Sequence, residues 1–255
     1  MLASGRFCNP HNPNISGLNE FRGRKLHAHD FHDPQGFAGQ RVLVVGNGPS
    51  GVDISTALAP VTSPHPVMLA IRTAIDIGPR YPWGLPKHVW MMIAERLPTK
   101  IAAWLLDRTE KVRYRGTEAL GLRLPDDERK SSAAVVRGPE LLREIRAGRV
   151  KVVAAPVRFY GRCVELADGS QHEIDAVILA TGYRPALRYL EVEYETDEKN
   201  HLPLRDLPGY EARGYPGLFV MGVFYQGKGA LYNFKVEAQT AVEQIKARLA
   251  AAKRG

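Results

Sequence analysis

Residues 40–58 read Gln40-Arg41-Val42-Leu43-Val44-Val45-Gly46-Asn47-Gly48-Pro49-Ser50-Gly51-Val52-Asp53-Ile54-Ser55-Thr56-Ala57-Leu58. Val42 to Val45 is an apolar, β-branched run without polar alternation, the pattern of a strand buried on both faces of a parallel sheet. Val52 to Leu58 has the spacing of an amphipathic helix. A second apolar run, Val67-Met68-Leu69-Ala70-Ile71, ends at Arg72. Strand, glycine turn, helix and strand make a βαβ unit of about 30 residues, the expected size. The fold class that follows is α/β, with a Rossmann-type dinucleotide-binding domain.

Gly46-x-Gly48-x-x-Gly51 is a weak signal by itself, but here it leaves a strand and opens a helix. The first glycine permits the tight turn, the second lets backbone approach a pyrophosphate, and the third brings helix close to strand. The helix N-terminus then holds the phosphates through free N–H groups and its positive end. The expected binding residues are Gly46, Gly48, Pro49, Ser50 and Gly51. An NAD or FAD site places an acid at the end of the second strand, to bind the ribose 2′-OH. Residues 66–75 contain none, and the strand closes on Arg72-Thr73. A guanidinium there favours a 2′-phosphate, so NADP(H) is the expected nucleotide, with Arg72 and Thr73 at its adenosine end. A solvated surface arginine is the alternative.

Further out, residues 6–20 read as an extended connector rich in Pro, Asn and Gly. Trp90 to Leu106 reads as a helix broken at Pro98, and residues 139–147 as a helix with Pro at its first turn and Gly148 ending it. Strands are expected at 150–154, 157–160, 163–166 (turning at Asp168-Gly169), 176–182 and 217–223, and a last helix over 233–251. Trp83, Trp90 and Trp104 read as core, with a pocket lining as the alternative.

Composition narrows the class. The chain has 255 residues, 44% hydrophobic and 24% charged, which suits a globular protein large enough to need no disulfide or metal staple. Its net charge is +8, yet the basic residues are scattered, so no nucleic-acid partner is expected. No run of 18 or more apolar residues is present, so no membrane partner is expected. Cys8 and Cys163 form no C-x-x-C pair, which argues against a dithiol reductase and suits a cytoplasmic location. The cluster His27, His29, Asp30, His32, Asp33 fits no zinc spacing, and no metal is expected. Ser4, Ser50 and Ser55 lie in no nucleophile elbow.

Phe21, Gly23, His27 and Phe31 fit F-x-G-x-x-x-H-x-x-x-F shortly before the glycine motif. This resembles the fingerprint of the flavin-containing monooxygenases, class B flavoproteins that carry FAD and use NADPH and O2. Pro49 to Ile54 is similar to the family's NADPH motif, Ala180-Thr181-Gly182-Tyr183 to its second ATG-type motif, and Ala3-Ser4-Gly5 to its first. Phe31 resembles the N-/S-oxygenating branch, and Gly138 to Val153 the auxin-forming members. The resemblance adds Thr181 and Gly182 to the cofactor-binding residues and names no catalytic residue.

It also implies a division of the chain. Residues 1–38 would be a connector with an ATG-like turn and the fingerprint, 39–185 the NADP(H)-binding domain, and 186–255 the C-terminal part of an incomplete FAD-binding domain whose main segment has no counterpart here. The strand near Leu218–Val223 would then lack sheet neighbours and expose apolar side chains. The implied function is flavin-dependent oxygenation of a small organic substrate with O2, this chain being the NADPH half. A non-catalytic NADP-binding module, docked to a separate flavin-binding subunit or forming a homo-oligomer, is the alternative.

Overall fold

Val42 to Val45 are all buried, and their side chains divide by parity. Val42 and Val44 join one core with Val52, Leu58, Leu69 and Leu141; Leu43 and Val45 join another with Met68, Phe159, Val164 and Leu166. Successive side chains of a strand point to opposite faces, so a strand covered on both sides needs no polar residue. The structure, a computed structural model, describes residues 1–5, 7–72, 75–111, 120–122, 135–185, 187, 190, 195–196, 202–205, 210–222 and 230–252. It divides into two units, one of residues 12–182 and one combining 1–11 with 183–255.

In chain order the elements are β1 (Asn9–Pro10), β2 (Arg24–His27), β3 (Val42–Val45), α1 (Pro49–Leu58), β4 (Val67–Ile71) and β5 (Asp76–Gly78). Then come α2 (Lys87–Ala94), α3 (Thr99–Lys111), β6 (Val135–Arg137), α4 (Glu140–Arg146), β7 (Val150–Ala154) and β8 (Pro156–Tyr160). The last are β9 (Cys163–Leu166), β10 (Gln171–Glu173), β11 (Ala176–Leu179), β12 (Tyr183–Arg184) and α5 (Ala230–Ala252).

The larger unit is built on a five-stranded parallel sheet in the order β2-β11-β3-β4-β7. Residues of α1 and α4 cover one face; the antiparallel meander β8-β9-β10 covers the other. The chain steps from β3 to β4 to β7 in one direction, and β11 returns on the opposite side of β3. That reversal puts a topological switch point between β3 and β11, at whose carboxyl ends ligands bind in open α/β sheets.

Most expected elements are present, with shifted ends. The first helix starts at Pro49 rather than Val52, because proline at the first helical position presets φ and needs no N–H partner. The expected break at Pro98 separates α2 from α3. Two expectations fail. Trp83 and Trp104 are not core: they are 53% and 58% exposed, and only Trp90 is partly covered, its indole N–H donating to the Pro82 carbonyl at 2.8 Å.

The apolar segment near Leu218–Val223 is not exposed either. In the smaller unit Leu2 donates to the Phe219 carbonyl at 2.7 Å and accepts from Met221 N–H at 2.9 Å. Val220 is fully buried with Leu2, Leu187, Leu202 and Ala212, and Phe219 and Met221 pack on Ala241 of α5. The described segment makes single bridges at Phe219 and Val220 instead of a full strand, and Val223 lies outside the described residues. Beneath α5 the buried pair Arg205–Glu237 spans 3.3 Å, and Glu237 also accepts from Gly222 N–H at 2.8 Å.

The amino ends of β3 and β11 are tied by charge. Arg41 donates from Nε and Nη2 to the two Asp175 oxygens, each at 2.9 Å, and from Nη1 to Glu173 at 2.6 Å; Arg162 adds a bond to Asp175 at 2.8 Å. The Arg41 hydrogen bonds hold the Asp175 carboxyl well below the ordinary carboxylate range. Its stabilisation is therefore full above the unfolded carboxylate pKa and is lost as pH falls toward the depressed folded value. Asp175→Asn should cost about 1–2 kcal/mol at pH 7, a figure discounted for the solvent that reaches the cluster. Urea midpoints at pH 7 and near pH 3 check this: the variant's deficit should shrink in acid, and an unchanged deficit would contradict the assignment.

Candidate functional site

Because all five strands are parallel, their carboxyl ends share one edge. His27, Leu179 and Val45 are in register across β2, β11 and β3, and Val45 is in register with Ala70 of β4. The glycine turn leaves β3 at this edge. Gly46 N–H donates to the Ala70 carbonyl at 3.0 Å, and Ala180 N–H to the Val45 carbonyl at 2.8 Å. The turn is thus held between the ends of β4 and β11.

The three glycines do different work. Gly46 has φ +124°, and a Cβ there would lie 2.3 Å from the Ala180 carbonyl oxygen. At Gly51 a Cβ would lie 2.0 Å from the Gly46 carbonyl oxygen, so α1 approaches the turn as only glycine allows. Gly48 is unlike both. Its φ of −73° suits any residue, and a Cβ would meet nothing within 4 Å. The protein's own packing does not require glycine there, whereas a ligand lying against the backbone does.

The start of α1 suits an anion. No side chain caps it, and its first turn carries no acid. The first helical bond runs from Val52 N–H to the Gly48 carbonyl at 3.1 Å, while Pro49 has no N–H and Ser50 is exposed. The positive end of the helix is therefore not neutralised from within. Asp53, one turn on, has its carboxyl pushed up by desolvation, opposed by Arg80 and reinforced by Glu140.

Arg72 is exposed directly after β4, two residues past the carbonyl that anchors Gly46. Thr73 lies outside the described residues. Thr181 and Gly182 follow β11 on the opposite side of the turn, next to Ala180. The structure therefore brings Gly46, Gly48, Pro49, Ser50, Gly51, Arg72, Thr181 and Gly182 to one sheet edge. Among the described residues no group of three or more His, Cys, Asp or Glu could hold a metal ion.

One residue of this edge was read only as part of a pattern. His27 is buried; its Nδ1 accepts from His29 N–H at 3.1 Å, and its Nε2 lies 3.1 Å from the Gly182 carbonyl. A ring nitrogen that accepts leaves the other as donor, so a neutral imidazole protonated on Nε2 serves both bonds. The fingerprint histidine thereby fastens the turn after β11. Spacing in sequence could not pair it with a glycine 155 positions away.

Comparison with known proteins agrees with this architecture. A model of the family described as FMO-like, flavin-binding monooxygenase-like, matches residues 1–248. The chain is 32% identical over 236 residues to the probable indole-3-pyruvate monooxygenase YUCCA8 of Arabidopsis thaliana, covering 89% of this chain and 54% of that one. It is 30% identical over 201 residues to the human dimethylaniline monooxygenase [N-oxide-forming] 4, covering 75% and 35%. Among solved structures, a flavin-containing monooxygenase from Stenotrophomonas maltophilia shares the fold with a TM-score of 0.62 at 23% identity, over 96% of this chain and 61% of that one. The chain thus spans about half the length of the plant relative. Since the family match takes in both structural units and not the nucleotide fold alone, the whole chain belongs to the flavin-binding monooxygenase-like family.

Proposed function

We propose that this chain is the NADPH-handling half of a flavin-dependent monooxygenase that oxygenates a small organic substrate with O2. The observation that carries the reading is Gly48, whose open Cβ direction leaves room for a pyrophosphate against the backbone at an uncapped helix start. Ser50 and Gly51 offer N–H groups of the first helical turn to the phosphates. Arg72, with Thr73 beside it in sequence, receives the 2′-phosphate, and Thr181 and Gly182 border the crevice from the β11 side. When bound, NADPH supplies a hydride and FAD the oxygen chemistry; the protein's part is to orient the cofactors and exclude water. Its residues 39–185 form the NADP(H) domain in this reading, and 186–255 contribute to the flavin domain. The two relatives above are named for an oxo acid and an aromatic amine, which supports a small organic substrate without selecting one.

Calorimetric titration of the purified protein with NADPH tests the nucleotide half of this reading. A saturable curve with Kd between about 1 and 100 μM is expected, and no saturable heat up to about 1 mM overturns it.

A further inference from the structure

The segment from Tyr81 to Arg108 carries large apolar side chains left exposed among the described residues of its unit. Trp83, Met92, Ile101 and Trp104 are each at least half exposed, and Tyr81, Leu85 and Ile93 are exposed with them. On α3, Ile101, Trp104 and Arg108 recur at helical spacing, with Lys100 beside them and the Arg108 guanidinium 5.7 Å from the Trp104 ring centre. On α2, His88 and Met92 recur in the same way, and Arg96 lies in the turn that follows. Trp83 holds φ +51°, a left-handed conformation costly for a bulky side chain, with its ring 5.3 Å from that of Trp90 in an edge-to-face contact.

Charge selects the occupant. Residues 80–111 contain six Lys and Arg against three Asp and Glu, in a chain of net charge +8. Exposed tryptophan, isoleucine and methionine on short helices, rimmed by long basic side chains, fit a lipid interface: indoles sit at headgroup level while Lys and Arg reach the phosphates. Among the described residues no helix is long and apolar enough to cross a membrane, so the fit is to lying on a bilayer. We propose that the α2–α3 hairpin, with the Tyr81–Leu85 turn before it, docks on an anionic lipid surface.

The test is co-sedimentation with vesicles of phosphatidylcholine alone or with about 30 mol% phosphatidylserine, alongside the variant Ile101→Glu/Trp104→Glu. The parent should partition onto the anionic vesicles about tenfold more strongly than onto the neutral ones, and lose that preference in about 0.5 M NaCl. The double variant should bind at least about tenfold more weakly while keeping the parent's melting midpoint and NADPH affinity. Binding that ignores lipid charge, or that survives the double substitution, overturns the proposal. So does light scattering showing a dimer that the double variant dissociates, because the face is then a contact between two copies.

Discussion

Gly48→Val is expected to abolish NADPH binding while leaving the thermal midpoint of the protein unchanged. The backbone at Gly48 is extended, with φ −73° and ψ 177°, a conformation that suits β-branched residues. Its Cβ would meet nothing within 4 Å, so folding should change by less than about 0.5 kcal/mol. The two added methyl groups project where the pyrophosphate must lie against the backbone, and affinity should fall by more than about a hundredfold. Gly51→Ala supplies the contrast. Its Cβ would stand 2.0 Å from the Gly46 carbonyl oxygen, a backbone atom that cannot swing aside. That variant should lose about 2–3 kcal/mol or more of stability, since α1 has to leave its strand. Thermal melts with and without NADPH separate the two effects. If Gly48→Val keeps the parent's NADPH-induced shift, the glycine turn is purely structural and the proposed function fails with it.

Much of this site was legible because strand, turn and helix follow one another within a few residues. Val42–Val45 and Val67–Ile71 announce buried strands through unbroken apolarity, and the three glycines mark the turn between the first strand and α1. Their division of labour was not visible, since which glycine touches protein and which faces open space depends on where Ala180 lands. β2 was missed for a physical reason. Among the described residues Arg24-Lys25-Leu26-His27 is an edge strand paired only with β11, so neither alternation nor an apolar run betrays it. The tryptophans failed differently: helical spacing of apolar residues says that a face exists, not that the chain itself covers it. The tail was misjudged because the neighbour of Val220 is Leu2, at the opposite end of the chain. Local pattern carries no information about so remote a pairing.

Arg72→Ala should weaken NADPH binding about tenfold to a hundredfold and change NADH binding less than about twofold. Two observations and the geometry of Rossmann domains converge on this. The acid that would bind a free 2′-hydroxyl is missing from residues 66–75. Arg72 is exposed directly after β4, whose Ala70 carbonyl fixes the start of the glycine turn. A nucleotide seated with its pyrophosphate at Gly48 therefore has its adenosine ribose running toward the end of β4, as it does in Rossmann domains generally. A guanidinium offers the 2′-phosphate paired, charge-assisted bonds that an ammonium cannot match in geometry, so Arg72→Lys should recover only part of the loss. Salt separates this contact from diffuse attraction to a basic surface. Raising ionic strength weakens long-range attraction for both nucleotides, whereas a direct contact at Arg72 keeps the NADPH-over-NADH ratio high in the parent and absent from the variant. Equal losses for the two nucleotides would show that Arg72 is an ordinary surface charge, and that specificity for the 2′-phosphate lies elsewhere on the sheet edge.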